Sequence, residues 1–322
     1  MRDVSVCIPC YNHGRYLDAA VRSVVRQTAL DRIREIIVVD DGSTDDTRQR
    51  IQALRDEGIA LTYIATSNAG PSAARNRALE ETSGDFIAFL DGDDIWSPDK
   101  TERQLAEVDH PDVGLVYSDY IDFEDASLDD GKLVCVRRLD KHGEALVADF
   151  YLNDGPIFPS AVILRRDVYD RIGGFDERFR MAEDTDYWLR VALAGYRFRH
   201  VPGGLLCRRR HEGNLTHDLE RWLDVFEEQT SAYAAIHPFL APFAKRRLSR
   251  RYARIGQSLL AERRIARALS YLRKALQLDP GNARAWSYIV ALPLYAAGGT
   301  HGVGEIKRAY HLMRSRTGGE DA

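Results

Sequence analysis

A chain of 322 residues, 44 % hydrophobic and 29 % charged, is too long for one ordinary domain and has the make-up of a folded globular protein. Its formal net charge of −4 gives nucleic acid no general surface to bind, since phosphate recognition needs a positive excess. No apolar run approaches the roughly 18–20 residues of a membrane span.

Met1-Arg2-Asp3 leads straight into an apolar strand that Pro9 and Asn12 end. That lacks the long apolar core and small-residue cleavage site of a signal peptide, so a cytoplasmic location is expected. Over the first ninety residues, short β-branched or aromatic runs at Val4–Ile8, Ile36–Val39, Leu61–Ile64 and Phe86–Leu90 read as strands covered on both faces. Between them lie apolar positions at helical spacing: Leu17, Val21, Val24 and Val25, then Ile51 and Leu54, then Ala74, Ala78 and Leu79. The alternation predicts a doubly wound α/β sheet with right-handed crossovers. Ligands of such sheets sit at the carboxyl ends of the strands.

Residues 91–215 are less regular. Val113–Tyr117 and Ala161–Leu164 read as strands, Asp184–Ala194 as a helix, and Asp122–Gly131 as an acidic surface loop. From about Asp218 the pattern is helical, giving a division into domains at 1–217 and 218–322. Within the second, Tyr252, Ile255, Gly256, Ala268, Leu272, Ala275 and Pro280 fall at tetratricopeptide spacing, and Trp286 lies 34 residues after Tyr252. Residues 249–295 thus predict one such helical pair and the start of another, Gly256 and Ala268 allowing close helix approach. The closing Arg316–Ala322 segment reads as disordered.

The four cysteines (Cys7, Cys10, Cys135, Cys207) are too few and too scattered for a disulfide framework. Cys7 and Cys10 have a Cys-x-x-Cys spacing, but no second pair completes a zinc site, and the strand around them makes them core side chains.

Three acidic clusters follow predicted elements. Asp40-Asp41-Gly42-Ser43-Thr44 closes the second strand, where carboxylates can accept bonds from a base or a ribose, and where Ser43, Thr44 or Asp45 could equally cap a helix. Asp91-Gly92-Asp93-Asp94 closes the fourth. Three carboxylates in four residues need a cation or protons, and a hard divalent ion takes carboxylate and phosphate oxygens together. Glu183-Asp184 opens a helix, where a carboxylate is a cap or a general base toward a hydroxyl. Arg75 and Asn76 fall early in a helix after Gly70-Pro71, Arg75 reading as a nucleotide contact or an ion-pair residue. His211 closes the string Cys207-Arg208-Arg209-Arg210 as a metal ligand, a diphosphate donor or a structural residue.

In this order the motifs resemble family 2 glycosyltransferases. The similar stretches are Val4 to Asn12, Gln27-Thr28, Glu35 to Asp45, Asn68-Ala69-Gly70, Ala74-Arg75-Asn76 and Phe89 to Asp94. Gly174-Phe175-Asp176, Glu183 to Arg190 and Arg210-His211-Glu212-Gly213-Asn214 continue the likeness to about residue 216. The resemblance implies a GT-A fold (Rossmann-like, mostly parallel), inverting transfer, and a nucleotide diphosphate sugar as donor, UDP being the commonest nucleotide. It implies that Pro9, Tyr11, Asn12, Asp40, Asp41, Asn68 and Arg75 frame the nucleotide, without separating Asp40 from Asp41 as the base contact. Asp91 would serve the ribose or the metal, Asp93 and His211 would hold Mn²⁺ or Mg²⁺, and Asp184 would be the catalytic base. The acceptor it implies is a carbohydrate, lipid-linked or protein-linked hydroxyl, in surface polysaccharide, lipopolysaccharide or glycan synthesis. Neither a membrane bundle nor a Gln-x-x-Arg-Trp string accompanies it, so one transfer per encounter is expected.

Residues 245–274 carry eleven Lys or Arg against Glu262 alone. Three readings stay open: peripheral contact with anionic lipid on the inner face of a membrane, pairing with the acidic catalytic domain, or self-association into a homo-oligomer. Two rival functions are a nucleotidyltransferase and a scaffold with a degenerate transferase domain. The first would show a glycine-rich basic loop where Pro9-Cys10-Tyr11-Asn12-His13-Gly14 stands; the second fits poorly with Asp93 and Asp184 both present.

Overall fold

The computed structural model describes residues 3–108, 110–124, 128–153, 157–179, 181–211 and 219–296, without the side chains of Leu294 and Ala296. The chain divides into two compact units, residues 1–217 and 218–322.

The first unit is built on one sheet. Its strands are β1 (Val4–Cys10), β2 (Ile33–Asp40), β3 (Thr62–Ala65), β4 (Phe86–Phe89), β5 (Ile95–Trp96), β6 (Val113–Glu124), β7 (Lys132–Val134), β8 (Val162–Arg165) and β9 (Arg197–Arg210). They lie in the order β3-β2-β1-β4-β8-β6-β9-β5, with β7 on β6. β1 is parallel to β2 and β4, and β2 to β3, as the βα alternation predicts. β8 then enters antiparallel, between β4 and β6. The order reverses between β1 and β4, a switch point of the kind at whose carboxyl ends ligands of such sheets bind.

Side-chain type explains the sheet. All seven residues of β1 are buried, as are Ile36 to Asp40 of β2 and the whole of β4. Each fully buried Val, Ile or Phe there stabilises the unit by about 1.5–3 kcal/mol. Helix α1 (Gly14–Val25) presents Leu17, Ala20, Val21 and Val24 to the core, and α2 (Thr47–Asp56) presents Ile51 and Leu54. Helix α3 (Pro71–Glu81) packs on β1 and β2, with Pro71 at its first position, where no N–H is needed. After it come α4 (Lys100–Leu105), α5 (Gly143–Asn153), α6 (Arg166–Ile172) and α7 (Glu183–Leu193).

One strand is added and one expectation changes. β9 runs parallel to β6 along most of its length, although Arg197–Arg210 carries five arginines and Pro202-Gly203-Gly204. The acidic stretch Asp122–Gly131 is not all loop, because β6 continues to Glu124. Asp122 is accommodated there by Arg208 of β9, whose Nε and Nη2 donate to its carboxylate at 2.7 and 3.0 Å. Cys7 and Cys10 are buried in β1, and burial pushes both thiols far above their ordinary range, which fits a core role.

The second unit contains α8 (Leu223–Ile236), α9 (Ala241–Ala261), α10 (Ile265–Leu278) and α11 (Ala283–Ala296). Its core joins Tyr252, Ile255, Leu259, Ala268, Leu272 and Ala275. A Cβ on Gly256 would stand 2.8 Å from Leu272, so α9 and α10 approach as closely as the small residues suggested. Much of the basic stretch is satisfied inside this unit. Arg247 is buried and donates to Thr230 and Gln229, while Arg267 and Arg264 face Glu220 at 2.6 and 3.9 Å. Arg246 faces Asp279 at 3.8 Å. The Arg316–Ala322 segment and Glu212–Asn214 lie outside the described residues. No helix among the described residues is long and apolar enough to cross a membrane.

Candidate active site

Backbone amides organise the carboxyl ends of β1, β2 and β3. Asp41 accepts from the N–H groups of Ala69 and Gly70, both at 2.8 Å, and so ties the β2 end to the loop that starts α3. Asp40 accepts from the Ser43 N–H at 2.8 Å and the Tyr63 hydroxyl at 3.0 Å. Both carboxylates are buried. Asn12 sits at φ +56°, in the left-handed region that asparagine tolerates, and links the β1 end to the β2 loop. Its N–H donates to Ser43 Oγ and its side-chain oxygen accepts from the Thr44 N–H, each at 2.8 Å. None of Ser43, Thr44 and Asp45 is the N-cap of α2, which is Asp46, but the Asp45 carboxylate accepts from the Thr47 and Gly14 N–H groups at 3.0 Å. Around the buried Asp40 and Asp41, Tyr11, 45 % exposed, and Asn68 face solvent, while Pro9 is buried within β1.

At the end of β4 the three adjacent carboxylates are handled in three ways. Asp91 accepts from Arg75 Nη2 at 2.7 Å. Asp93 Oδ2 lies 2.9 Å from His211 Nε2 and 3.9 Å from His13 Nε2. Burial acts against its charge, but the His211 bond and the two imidazoles hold its carboxyl below the usual range. Asp94 is the opposite case: burial, and then the charges of Asp93 and Asp91, push its carboxyl well above that range. It accepts from the Arg209 N–H at 3.0 Å, which fastens the turn to β9. Gly92 belongs in this turn because a Cβ there would stand 2.9 Å from both Cys10 Cβ and His13 Nδ1.

Carboxylate oxygen suits Mn²⁺ or Mg²⁺, while an imidazole nitrogen is a poorer ligand for the harder Mg²⁺, and Asp93 with His211 offers one of each at close range. Among the described residues no group of three or more His, Cys, Asp or Glu is arranged to hold a metal ion. A cation held by this pair would leave its remaining positions to diphosphate and water oxygens, the usual division for Mg²⁺.

The third cluster joins the second through Arg75. This guanidinium is 5 % exposed and donates from Nη1 to Glu183 Oε1 and from Nη2 to Asp91 Oδ1, both at 2.7 Å. Glu183 and Asp184 open α7 just after Ala182, which sits at φ +60°. Asp184 is partly exposed and its Oδ1 accepts from the Thr185 N–H at 2.6 Å. Of the expected nucleotide set, Pro9, Tyr11, Asn12, Asp40, Asp41 and Asn68 thus gather at the β1–β3 edge. Arg75 and Asp91 are paired with each other, and Asp93 meets His211.

Two residues go beyond the expected set. His13 faces Asp93, and Ser160 Oγ accepts the Asp91 N–H at 2.9 Å. His13 carried a signal, since it stands in the loop after β1 where ligands collect. Ser160 carried none, because only the antiparallel entry of β8 brings it beside β4.

The sequence profile of glycosyl transferase family 2 matches residues 5–173, just over half of the chain. The chain belongs to glycosyl transferase family 2. The matched span runs from β1 through α6 and contains the first two acidic clusters. Among curated relatives of this family 2 chain, the putative teichuronic acid biosynthesis glycosyltransferase TuaG of Bacillus subtilis is 45 % identical over 104 residues. That match covers 32 % of this chain and 40 % of the relative. The UDP-Glc:alpha-D-GlcNAc-diphosphoundecaprenol beta-1,3-glucosyltransferase WfgD of Escherichia coli is 38 % identical over 117 residues, 36 % of this chain and 45 % of that one. The chain spans about two fifths of the length of the first curated relatives it matches. Among solved structures, the mannosyltransferase PcManGT of Pyrobaculum calidifontis, in complex with GDP-Man and Mn²⁺, superposes with a TM-score of 0.60. It is 20 % identical and covers 93 % of this chain and 85 % of its own, a likeness of fold. The GT-A fold expected from the sequence is the fold found.

Proposed function

We propose that this chain is an inverting, metal-dependent glycosyltransferase that moves a sugar from a nucleotide diphosphate, most simply UDP, to an acceptor hydroxyl. The observation that carries this reading is the gathering of its polar residues around one switch point. The buried Asp40–Asp41 pair with exposed Tyr11 and Asn68 suits a nucleoside, and Asp93 with His211 suits the metal–diphosphate. Asp184 opens the helix on the far side of the Arg75 bridge.

The roles follow from chemistry. Asp40 or Asp41 accepts from the base N–H, Tyr11 covers the base, and Asn12 and Asn68 line its entry. Asp93 and His211 would hold Mn²⁺ or Mg²⁺, which when bound neutralises charge on the departing diphosphate. Asp184 takes the proton from the acceptor hydroxyl as that oxygen attacks the anomeric carbon from the face opposite the leaving group. One displacement inverts the centre, and holding both partners together supplies much of the acceleration.

WfgD names UDP-Glc as donor and a lipid-linked sugar as acceptor, and TuaG names a cell-wall polymer, so a surface polysaccharide or lipid-linked glycan is the acceptor class we favour. The helical unit fits a tetratricopeptide-like pair. Trp286 is half exposed on α11 and gives that unit a surface for protein or membrane contact. The test is incubation with UDP-glucose, UDP-GlcNAc and GDP-mannose plus Mn²⁺, following nucleoside diphosphate release and the anomer formed by NMR. Release with inversion from one donor supports the reading; retention of configuration, or no release from any of the three with and without Mn²⁺, contradicts it.

A further inference from the structure

Helix α3 uses one face to organise the loop that precedes α7. Ser72, Arg75 and Asn76 stand at i, i+3 and i+4 and so point the same way. Ser72 Oγ donates to the Phe179 carbonyl at 2.8 Å. The Asn76 carboxamide brackets Phe175, accepting from its N–H at 2.7 Å and donating to its carbonyl at 2.9 Å. Gly174 is required beside it, since a Cβ there would drive into the same carboxamide. Phe175 in turn stacks on Tyr187 of α7 at 4.3 Å and lies under the Arg75 guanidinium at 5.5 Å.

The loop ends in strain. Ala182 at φ +60° costs on the order of 1–3 kcal/mol, and such a conformation persists only where its surroundings hold it. The next residue is Glu183, gripped by Arg75, while the other arm of Arg75 grips Asp91. This partly buried ion triplet adds less stability than its short distances suggest, because desolvation offsets much of its attraction.

We propose that Arg75 is a positioning residue that couples Asp91, on the donor side, to the first turn of α7, so that Asp184 is correctly aimed only while Asp91 is held. Arg75 then acts through the two carboxylates and not by touching the nucleotide. The inference rests on the roles proposed above for Asp91 and Asp184. It implies that donor binding, by fixing Asp91, stiffens the acceptor side before the acceptor arrives.

The test uses the full chain, with Arg75→Met, Glu183→Gln and the double variant. UDP binding with Mn²⁺ is measured by calorimetry, UDP-glucose consumption by steady-state kinetics, and amide exchange at residues 183–186 by mass spectrometry. Exchange there reports directly on the start of α7, where the Asp186 N–H donates to the Ala182 carbonyl at 3.0 Å. The expected result is a UDP Kd within about threefold of the parent and a kcat lowered about 30-fold or more in each single variant, with KM little changed. Because the pair acts as a unit, the double variant should be no slower than the slower single one. Exchange at 183–186 should rise about tenfold in both.

A Kd raised tenfold by Arg75→Met but not by Glu183→Gln, with effects that multiply, would overturn the proposal and make Arg75 a nucleotide contact. If the parent neither binds UDP nor consumes UDP-glucose, the choice of donor fails while the exchange measurement still decides the coupling. Unchanged protection at 183–186 in Arg75→Met then refutes it. Should that variant fail to fold, Arg75→Lys, which keeps the charge but reaches one carboxylate at a time, gives the same contrast.

Discussion

The two sides of the site are held by different means. At the edge formed by β1, β2 and β3, side-chain oxygens of Asn12, Asp40 and Asp41 are met by main-chain N–H groups of Thr44, Ser43, Ala69 and Gly70. The loop before α7 is instead held by three side chains of α3: Ser72, Arg75 and Asn76. Main-chain donors are present whatever the neighbouring residues are, so the first edge depends mainly on its acceptors, with the Tyr63 hydroxyl as a side-chain donor to Asp40. The second rests on three donors of one helix face, two bound to main-chain groups of Phe175 and Phe179 and one to the Glu183 carboxylate, which concentrates its vulnerability in a few positions.

Substitutions can break or sharpen this contrast. The largest effect is expected at the chemical step. Asp184→Asn keeps shape and loses basicity, so transfer should fall on the order of 10³-fold while UDP affinity stays within about twofold. Substantial remaining turnover would remove Asp184 from the base role. Next comes the loop itself. Asn76→Ala deletes a carboxamide that holds Phe175 from both sides and also donates to Glu177 at 2.9 Å. It should destabilise the first unit by about 2–3 kcal/mol, read as a lower thermal midpoint. At the opposite edge Asn12→Gly loses the Thr44 bonds but frees a left-handed backbone, and should stay within about 1 kcal/mol of the parent. Equal losses for the two variants would erase the contrast.

A stabilising effect is expected at a residue that neither side uses. Lys100 is fully buried, has no hydrogen-bond partner for Nζ and lies over the Trp96 ring at 4.1 Å. Burial lowers its ammonium well below the ordinary 10.5. The unfolded chain therefore binds a proton that the folded chain does not, and stability rises with pH from the depressed folded value up to about 10.5. Lys100→Met should add about 1–2 kcal/mol near neutral pH and abolish that slope, as followed by thermal midpoints at pH 7 and 9.

How much of this was legible depends on the kind of contact. β1, β2 and β4 were readable because burial on both faces leaves continuous apolar runs, whereas β3, expected to be covered on both faces, is a partly exposed edge strand; the carboxyl-end rule then located Asp40, Asp41, Asp91 and Asp93. β9 was not, because the Arg208 charge is met across the sheet by Asp122 and the Arg209 N–H is bound by Asp94, and no local pattern records that. The Arg75–Glu183 bridge was equally hidden: each residue is ordinary for its helix, and only folding sets them 2.7 Å apart. In the second unit the small residues Gly256 and Ala268 signalled close helix packing. The basic stretch gave no hint that Glu220 and Asp279, in the same unit, would meet it.

The central claim, a metal–diphosphate site at Asp93 and His211, is tested most directly by calorimetric titration of UDP and GDP into the parent and Asp93→Ala, with Mn²⁺ and with EDTA. The account predicts that one nucleotide binds the parent with Mn²⁺ and loses about 100-fold or more in affinity with EDTA or on substitution. Binding that is equally strong in all four conditions, or none at all to the parent, would contradict it.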